Sequence, residues 1–400
     1  MPRRWRALLG IALGLLPIAL ALGEGCRGDR EPETTSGPIE SATAPIESAS
    51  APIGSASAAP PASTAPARRE QLVLLAGGDV SYARAAGKLL LDKPEATFFS
   101  RLEPWFSAAD LRFANLEGPL SDQKGEVQSP TEPLVFTGPP GGADALKREG
   151  FDVVSTANNH AWDYGKKALL ETLDNLDRVG VQHVGTGRDR TEAYRPLIVD
   201  KDGFRLAFLA VTDIWNQGLL HNHVGRDYVA DADPDGLAAA VKAVRADPTV
   251  DAIAVSYHGG VEYTDAPIGR ARQIHRMAID AGADVVIGHH VHVIQGIEWY
   301  KGRPILYGLG NLLMRMNRDH PWTEMGFLAR IVFHRGTTAT LAACPYRIFG
   351  VEILPLATDP LREAYEKRFY DHLRAVSKYT GGTAIGPVDA DGCAPITPEG

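Results

Sequence analysis

Apolar stretches of strand type recur along residues 71–292, each running out into a polar turn, and this regularity leaves few folds open to the chain. The stretches are QLVLLAGGDV, ADLRFANLEGPL, FDVVSTANNH, DAIAVSYHGG and ADVVIGHH, with FRLAFLAVTDIW a further strand of the same kind. Helical stretches at 165–180, 235–246 and 269–282 lie between them. Buried-type strands alternating with helices predict an α/β fold with largely parallel central strands. Later segments (QGIEWYKGRPILYGLGNLL, MGFLARIVFH, TLAACPYRIFGVEILPL) read as hairpin-linked strands. A sheet that turns antiparallel towards its end fits a two-sheet sandwich with helices outside. A helix at about 360–377 is expected near the end, and the last twenty residues read as loose.

The strand ends carry the chemistry. They hold Asp79; Asn115 and Glu117; Asn158, Asn159 and His160; His258 with Glu262; and His289, His290 and His292. Taken singly, each reads as well as a helix cap or a satisfied loop residue. Together they gather where α/β sheets bind ligands, beyond the carboxyl ends of the strands. Carboxylate, amide oxygen and imidazole suit Zn, Mn or Fe. A bridging carboxylate plus histidines from separate strands is what a two-metal hydrolytic site needs, with ions about 3.5–4 Å apart. In HVH at 290–292, alternate residues of an extended segment point the same way. That predicts His290 and His292 facing one site, with His289 turned away as a hydrogen-bonded or core residue.

The flanks are of a different character. MPRRWR followed by ALLGIALGLLPIALAL reads as a secretory signal ending near residue 26. Cys26, in ALGEGC, is either a lipidation position or a residue beside an ordinary cleavage site. Residues 27–70 are rich in Ala, Pro, Ser and Thr, with APIESAS followed by APIGSAS, and predict a disordered linker. The organisation expected is therefore signal (1–26), linker (27–70), catalytic-type domain (71–356), and C-terminal helix with a loose tail (357–400). Cys344 and Cys393 pair in an oxidising compartment or stay free, with a slight lean towards the pair. A net charge of −8 and the lack of a basic stripe argue against nucleic acid. An acidic chain binds an anionic polymer only if something such as a metal supplies local positive charge.

The motifs GGDV, ANLEGPL, STANNHAWDYG, HVGTG, HGGVEY, GHHVH and YGLGNLL stand in that order over residues 72–330. In this the chain resembles the capsule-synthesis CapA proteins of poly-γ-glutamate production, which have a calcineurin-like metallophosphoesterase fold. The resemblance implies a metallophosphatase-like four-layer αββα sandwich with mixed sheets. It implies one or two divalent ions held by Asp79, Glu117, Asn159, His258, His290 and His292. It makes His160 the general acid or the stabiliser of the leaving oxygen, with Asp163 steering it, and sets Asn115, Asn158, Glu262 and Asn311 along the substrate. Ser81 departs from the wider pattern, which has histidine there; Gly259, Val291 and Leu312 replace the usual tryptophan, proline and phenylalanine.

The function implied is a metal-dependent hydrolase or transferase, exported and anchored in the cell envelope, acting in biosynthesis, export or release of a poly-γ-glutamate-type polymer. Two rivals stand beside it: a non-catalytic polymer-binding or scaffold component of a membrane synthase complex, and a phosphoesterase acting on small envelope substrates.

Overall fold

The computed structural model describes residues 68–399 other than 315 and 317–319. The expected signal, Cys26 and nearly all of the linker lie outside them.

Among the described residues the chain builds a 10-stranded and a 6-stranded sheet. In the first, Gln71–Val80, Leu111–Leu116, Val153–Ser155 and Gln182–Val184 run parallel. On the other side of Gln71–Val80, Met325–His334 and then Thr340–Phe349 add antiparallel strands. The second sheet has Phe204–Thr212, Ala252–His258, Val285–His289 and Arg303–Leu306 in parallel, with Leu197–Lys201 and Ile297–Tyr300 as antiparallel edges.

Side-chain alternation sorts the strands' residues into layers. Leu72, Leu74 and Ala76 enter a core shared with Phe204, Leu206 and Phe208 of the other sheet, whereas Leu75 joins a second core. The Phe113 and Phe208 rings stack across the interface with centroids 5.5 Å apart. Each such fully buried side chain contributes about 1.5–3 kcal/mol. The second core is closed by the helices Arg84–Asp92 and Gly141–Arg148, through Ala86, Leu90, Ala143 and Leu146. On the far side, Ala207, Leu209 and Val211 meet the helices Pro234–Arg245 and Gly269–Ala281 through Leu237, Val241, Ile274 and Ala278. The architecture is the expected four-layer αββα sandwich with mixed sheets. Among the described residues, no helix is long and apolar enough to cross a membrane.

The C-terminal end departs from expectation. The helix Arg362–Ser377 is present, but the residues after it are not loose. Thr383–Ile385 and Ala394–Pro398 form strands, and the latter pairs with Thr340–Phe349 at Leu341, Ala342 and Ala343. A disulfide joins Cys344 to Cys393, both fully buried. The Gly- and Pro-rich tail has too few apolar residues to announce a strand. The alternation of buried Ala394 and Ile396 with exposed neighbours, plus the crosslink, fixes it.

Candidate metal centre

The cluster forms where the parallel strands of both sheets end. Asp79 and Asn115 are register partners on adjacent strands of the first sheet, and His258 and His289 are partners in the second. Gly78 explains how Asn311 reaches the same place. The strand Asn311–Leu313 runs so close that a Cβ on Gly78 would lie 1.8 Å from the Gly310 carbonyl oxygen. Only a glycine there lets Asn311 pair with Asp79. Hydrogen bonds then tie the sheets together. Asn115 Nδ2 donates to Asp79 Oδ1 at 2.9 Å and lies 3.2 Å from His258 Nδ1, while the His290 backbone N–H donates to Asp79 Oδ2 at 3.2 Å.

His290 and His292 do face one site, but not by the extended geometry expected of HVH. Their φ angles are +87° and +57°, so the chain coils through the left-handed region at both residues. Such φ values are uncommon for a non-glycine residue, though histidine tolerates them better than most. His289, expected to turn away, remains on its strand with Nδ1 3.3 Å from Asp79 Oδ1, behind the cluster.

Glu117 lies at the centre. It is fully buried, and neither carboxylate oxygen has a hydrogen-bond partner. Its Oε1 is 3.8 Å from His292 Nε2, 3.9 Å from His160 Nε2 and 4.0 Å from His258 Nε2. These distances are too long for hydrogen bonds. Three sets offer ligand atoms within 4.8 Å of one another: Asp79, Glu117 and His292; Glu117, His258 and His290; Glu262, His290 and His292. The first two share Glu117, as a bridging carboxylate would. Buried polar groups are normally hydrogen-bonded, so the orphaned Glu117 oxygens fit a divalent ion better than a finished ion-free core.

Without an ion the charges are in tension. Burial would raise the Asp79 carboxyl, but His289 and His292 beside it hold it well below the ordinary carboxylate range. Burial, and then the charge of Asp79, push Glu117 well above that range. Burial, reinforced by His290, lowers His258; burial, reinforced by His292, lowers His290 to about 3. Both imidazoles are thus neutral, the form that ligates metals. Burial opposes a proton on His292, yet Glu117 and Asp79 raise it to about 9.

His160 is positioned from both sides. Its Nδ1 is 2.9 Å from Asp163 Oδ2, and the same oxygen accepts the Phe136 backbone N–H at 2.9 Å. The Phe136 ring stacks on the imidazole with centroids 4.1 Å apart. This leaves Nε2 aimed at Glu117.

Asn159 Oδ1 lies 2.7 Å from His258 Nε2, and its Nδ2 donates to Asn216 Oδ1 at 3.0 Å. Of the four residues expected along a substrate, Glu262 is exposed beside His290 and His292. Asn115, Asn158 and Asn311 are fully buried, with their amides hydrogen-bonded within the protein. Asn158 Nδ2 donates to the Leu116 carbonyl at 2.8 Å, and Asn311 Oδ1 lies 2.9 Å from His292 Nδ1.

Sequence reasoning missed Phe136 and Asn216. Asn216 was within reach, because it follows the strand Phe204–Thr212 as the other groups follow theirs. Phe136 sits in a long loop without periodicity and gave no signal.

Comparison with known proteins identifies the family. Residues 73–316 match the family model described as bacterial capsule synthesis protein PGA_cap. The chain is 32% identical over 291 residues to "PGA biosynthesis protein CapA" of Bacillus subtilis, covering 72% of this chain and 74% of that one. It is 28% identical over 285 residues to "Capsule biosynthesis protein CapA" of Bacillus anthracis, covering 70% and 68%. Among solved structures it is similar to the calcineurin-like phosphoesterase YfkN of Bacillus subtilis, at 12% identity and a TM-score of 0.40, over 78% of this chain and 99% of that one. With well over half its length matched, the chain belongs to the bacterial capsule synthesis protein family.

Proposed function

We propose that the cluster holds one or two divalent ions and cleaves or transfers acyl groups of a poly-γ-glutamate-type polymer at the cell envelope. The observation that carries this is the Glu117 carboxylate, buried with both oxygens orphaned among three imidazoles. Asp79, Glu117, Asn159, His258, His290 and His292 would hold the ions, with Asn311 and Asn115 orienting His292 and Asp79. Bound there, the ions would supply positive charge at the acyl oxygen and a water acidified towards neutral pH. Asp163 holds Nδ1 of His160, so that Nε2 is placed to donate a proton to the leaving nitrogen as the C–N bond breaks. Export and acylation at Cys26 belong to the same proposal. A mature N-terminus other than a lipidated Cys26, read by mass spectrometry, would remove the lipid anchor from it.

The test is metal content of the purified full chain by ICP-MS, followed by incubation with γ-linked glutamate oligomers and, in parallel, small phosphate esters. Bound metal with release of shorter γ-glutamyl chains is expected. Metal without turnover of either substrate would leave polymer binding as the role, a reading favoured by Ser81, which puts a hydroxyl where an imidazole would add a ligand. A chain free of metal after supplementation would refute the proposal.

A further inference from the structure

A cavity of about 210 Å³ opens beside the cluster, lined among others by Ser81, Arg84, Phe136, Leu313, Met314 and Val351. Phe136 and Ser81 connect it to the cluster. Phe136 is the ring stacked on His160, and Ser81 follows Asp79 by two residues. Gly118, next to Glu117, faces the same wall: a Cβ there would sit 3.7 Å from the Phe136 ring and 3.8 Å from Ser81 Oγ.

The lining is apolar except for Ser81 and Arg84. The Arg84 guanidinium lies 4.9 Å from the Phe136 ring centroid, and one of its nitrogens donates to the Pro133 carbonyl at 3.3 Å. No carboxylate pairs with it among the described residues. Its backbone is held at a φ of +52°, which costs energy for an arginine and therefore calls for a reason. A planar guanidinium at the edge of an apolar cavity suits a carboxylate carried on a short hydrocarbon arm.

We propose that this cavity receives one glutamyl unit of the polymer, next to the bond that reacts. Its methylenes lie against Leu313, Met314 and Val351, and its α-carboxylate pairs with Arg84. The proposal rests on the polymer reading given above and assigns the residue that distinguishes a free α-carboxylate from a neutral amide.

The experiment is calorimetric titration of the metal-supplemented full chain with a γ-linked glutamate pentamer, and with the same pentamer amidated at every α-carboxylate. Wild type should prefer the acid form, and Arg84→Gln should bind it about 10- to 100-fold more weakly, as loss of a charge-assisted hydrogen bond predicts. That variant should bind the two pentamers alike, Arg84→Lys should recover part of the preference, and metal content should not change. Val351→Trp, which fills the cavity from a surface turn, should weaken binding of both pentamers and covers the case in which Arg84 variants fail to fold. If Arg84→Gln keeps the wild-type preference, or Val351→Trp binds as wild type, the subsite is wrong while the polymer reading stands. If wild type binds neither pentamer, both are wrong.

Discussion

Replacing Glu117 by glutamine should move stability in opposite directions with and without metal. In the ion-free protein, Glu117 is a fully buried carboxyl without hydrogen bonds, raised by burial and by the charge of Asp79. A group whose folded pKa is raised favours folding most below its ordinary value of 4.5, and that contribution is lost as pH rises towards the folded pKa. At about pH 8, wild type therefore carries a penalty that the isosteric amide avoids. Each pKa unit by which the folded state raises the carboxyl costs about 1.4 kcal/mol once the pH exceeds the folded pKa, so with chelator present Glu117→Gln should be the more stable protein, and the gap should narrow as pH falls towards 4.5. With metal the order reverses. An ion at 100 times its Kd stabilises wild type by about 2.7 kcal/mol, while the variant has lost the carboxylate shared by two ligand sets and should gain little. The assay is urea denaturation in chelator, then in Zn or Mn, at several pH values. A variant less stable than wild type in chelator at about pH 8 would mean that His292 satisfies Glu117 as a structural ion pair, and the argument for an ion would fail.

Two other substitutions separate ligand from acid. His292→Ala should lower bound metal, whereas His160→Ala should retain it and lose turnover by about 10²–10⁴-fold. Wild-type metal affinity should weaken as pH falls below about 9, because His292 must give up its proton to ligate. Equal metal content in wild type and His292→Ala would show the histidine cluster to be structural. At the other end of the chain, Cys393→Ser opens a crosslink between residues 49 apart, which loop-closure entropy values at about 4 kcal/mol. A loss under about 1 kcal/mol in urea denaturation would show that the tail holds without it.

The sandwich was legible because strand and helix periodicities are long and regular from Gln71 to Ala281, and the cluster because its residues sit one per strand end. Local backbone geometry was not legible. HVH reads as extended, yet both histidines adopt left-handed φ, because the loop must turn back from the second sheet towards Asp79 on the first. Amide contacts were equally hidden, since the sequence does not show that Asn158 meets the Leu116 carbonyl or that Asn311 meets His292. The tail escaped because its pairing partner lies some fifty residues upstream and its few apolar positions show no run.

That tail has a bearing on how molecules keep apart. Ala394–Pro398 covers the Leu341–Ala343 segment of Thr340–Phe349, and Thr383–Ile385 lies outside it. Without these strands, a row of unpaired backbone N–H and C=O groups on an apolar strand would face solvent, ready to accept a strand from another chain. In a crowded compartment the cost of losing the last twenty residues would show as self-association before it showed as unfolding. A truncated protein would fail by clumping with its histidine cluster still intact.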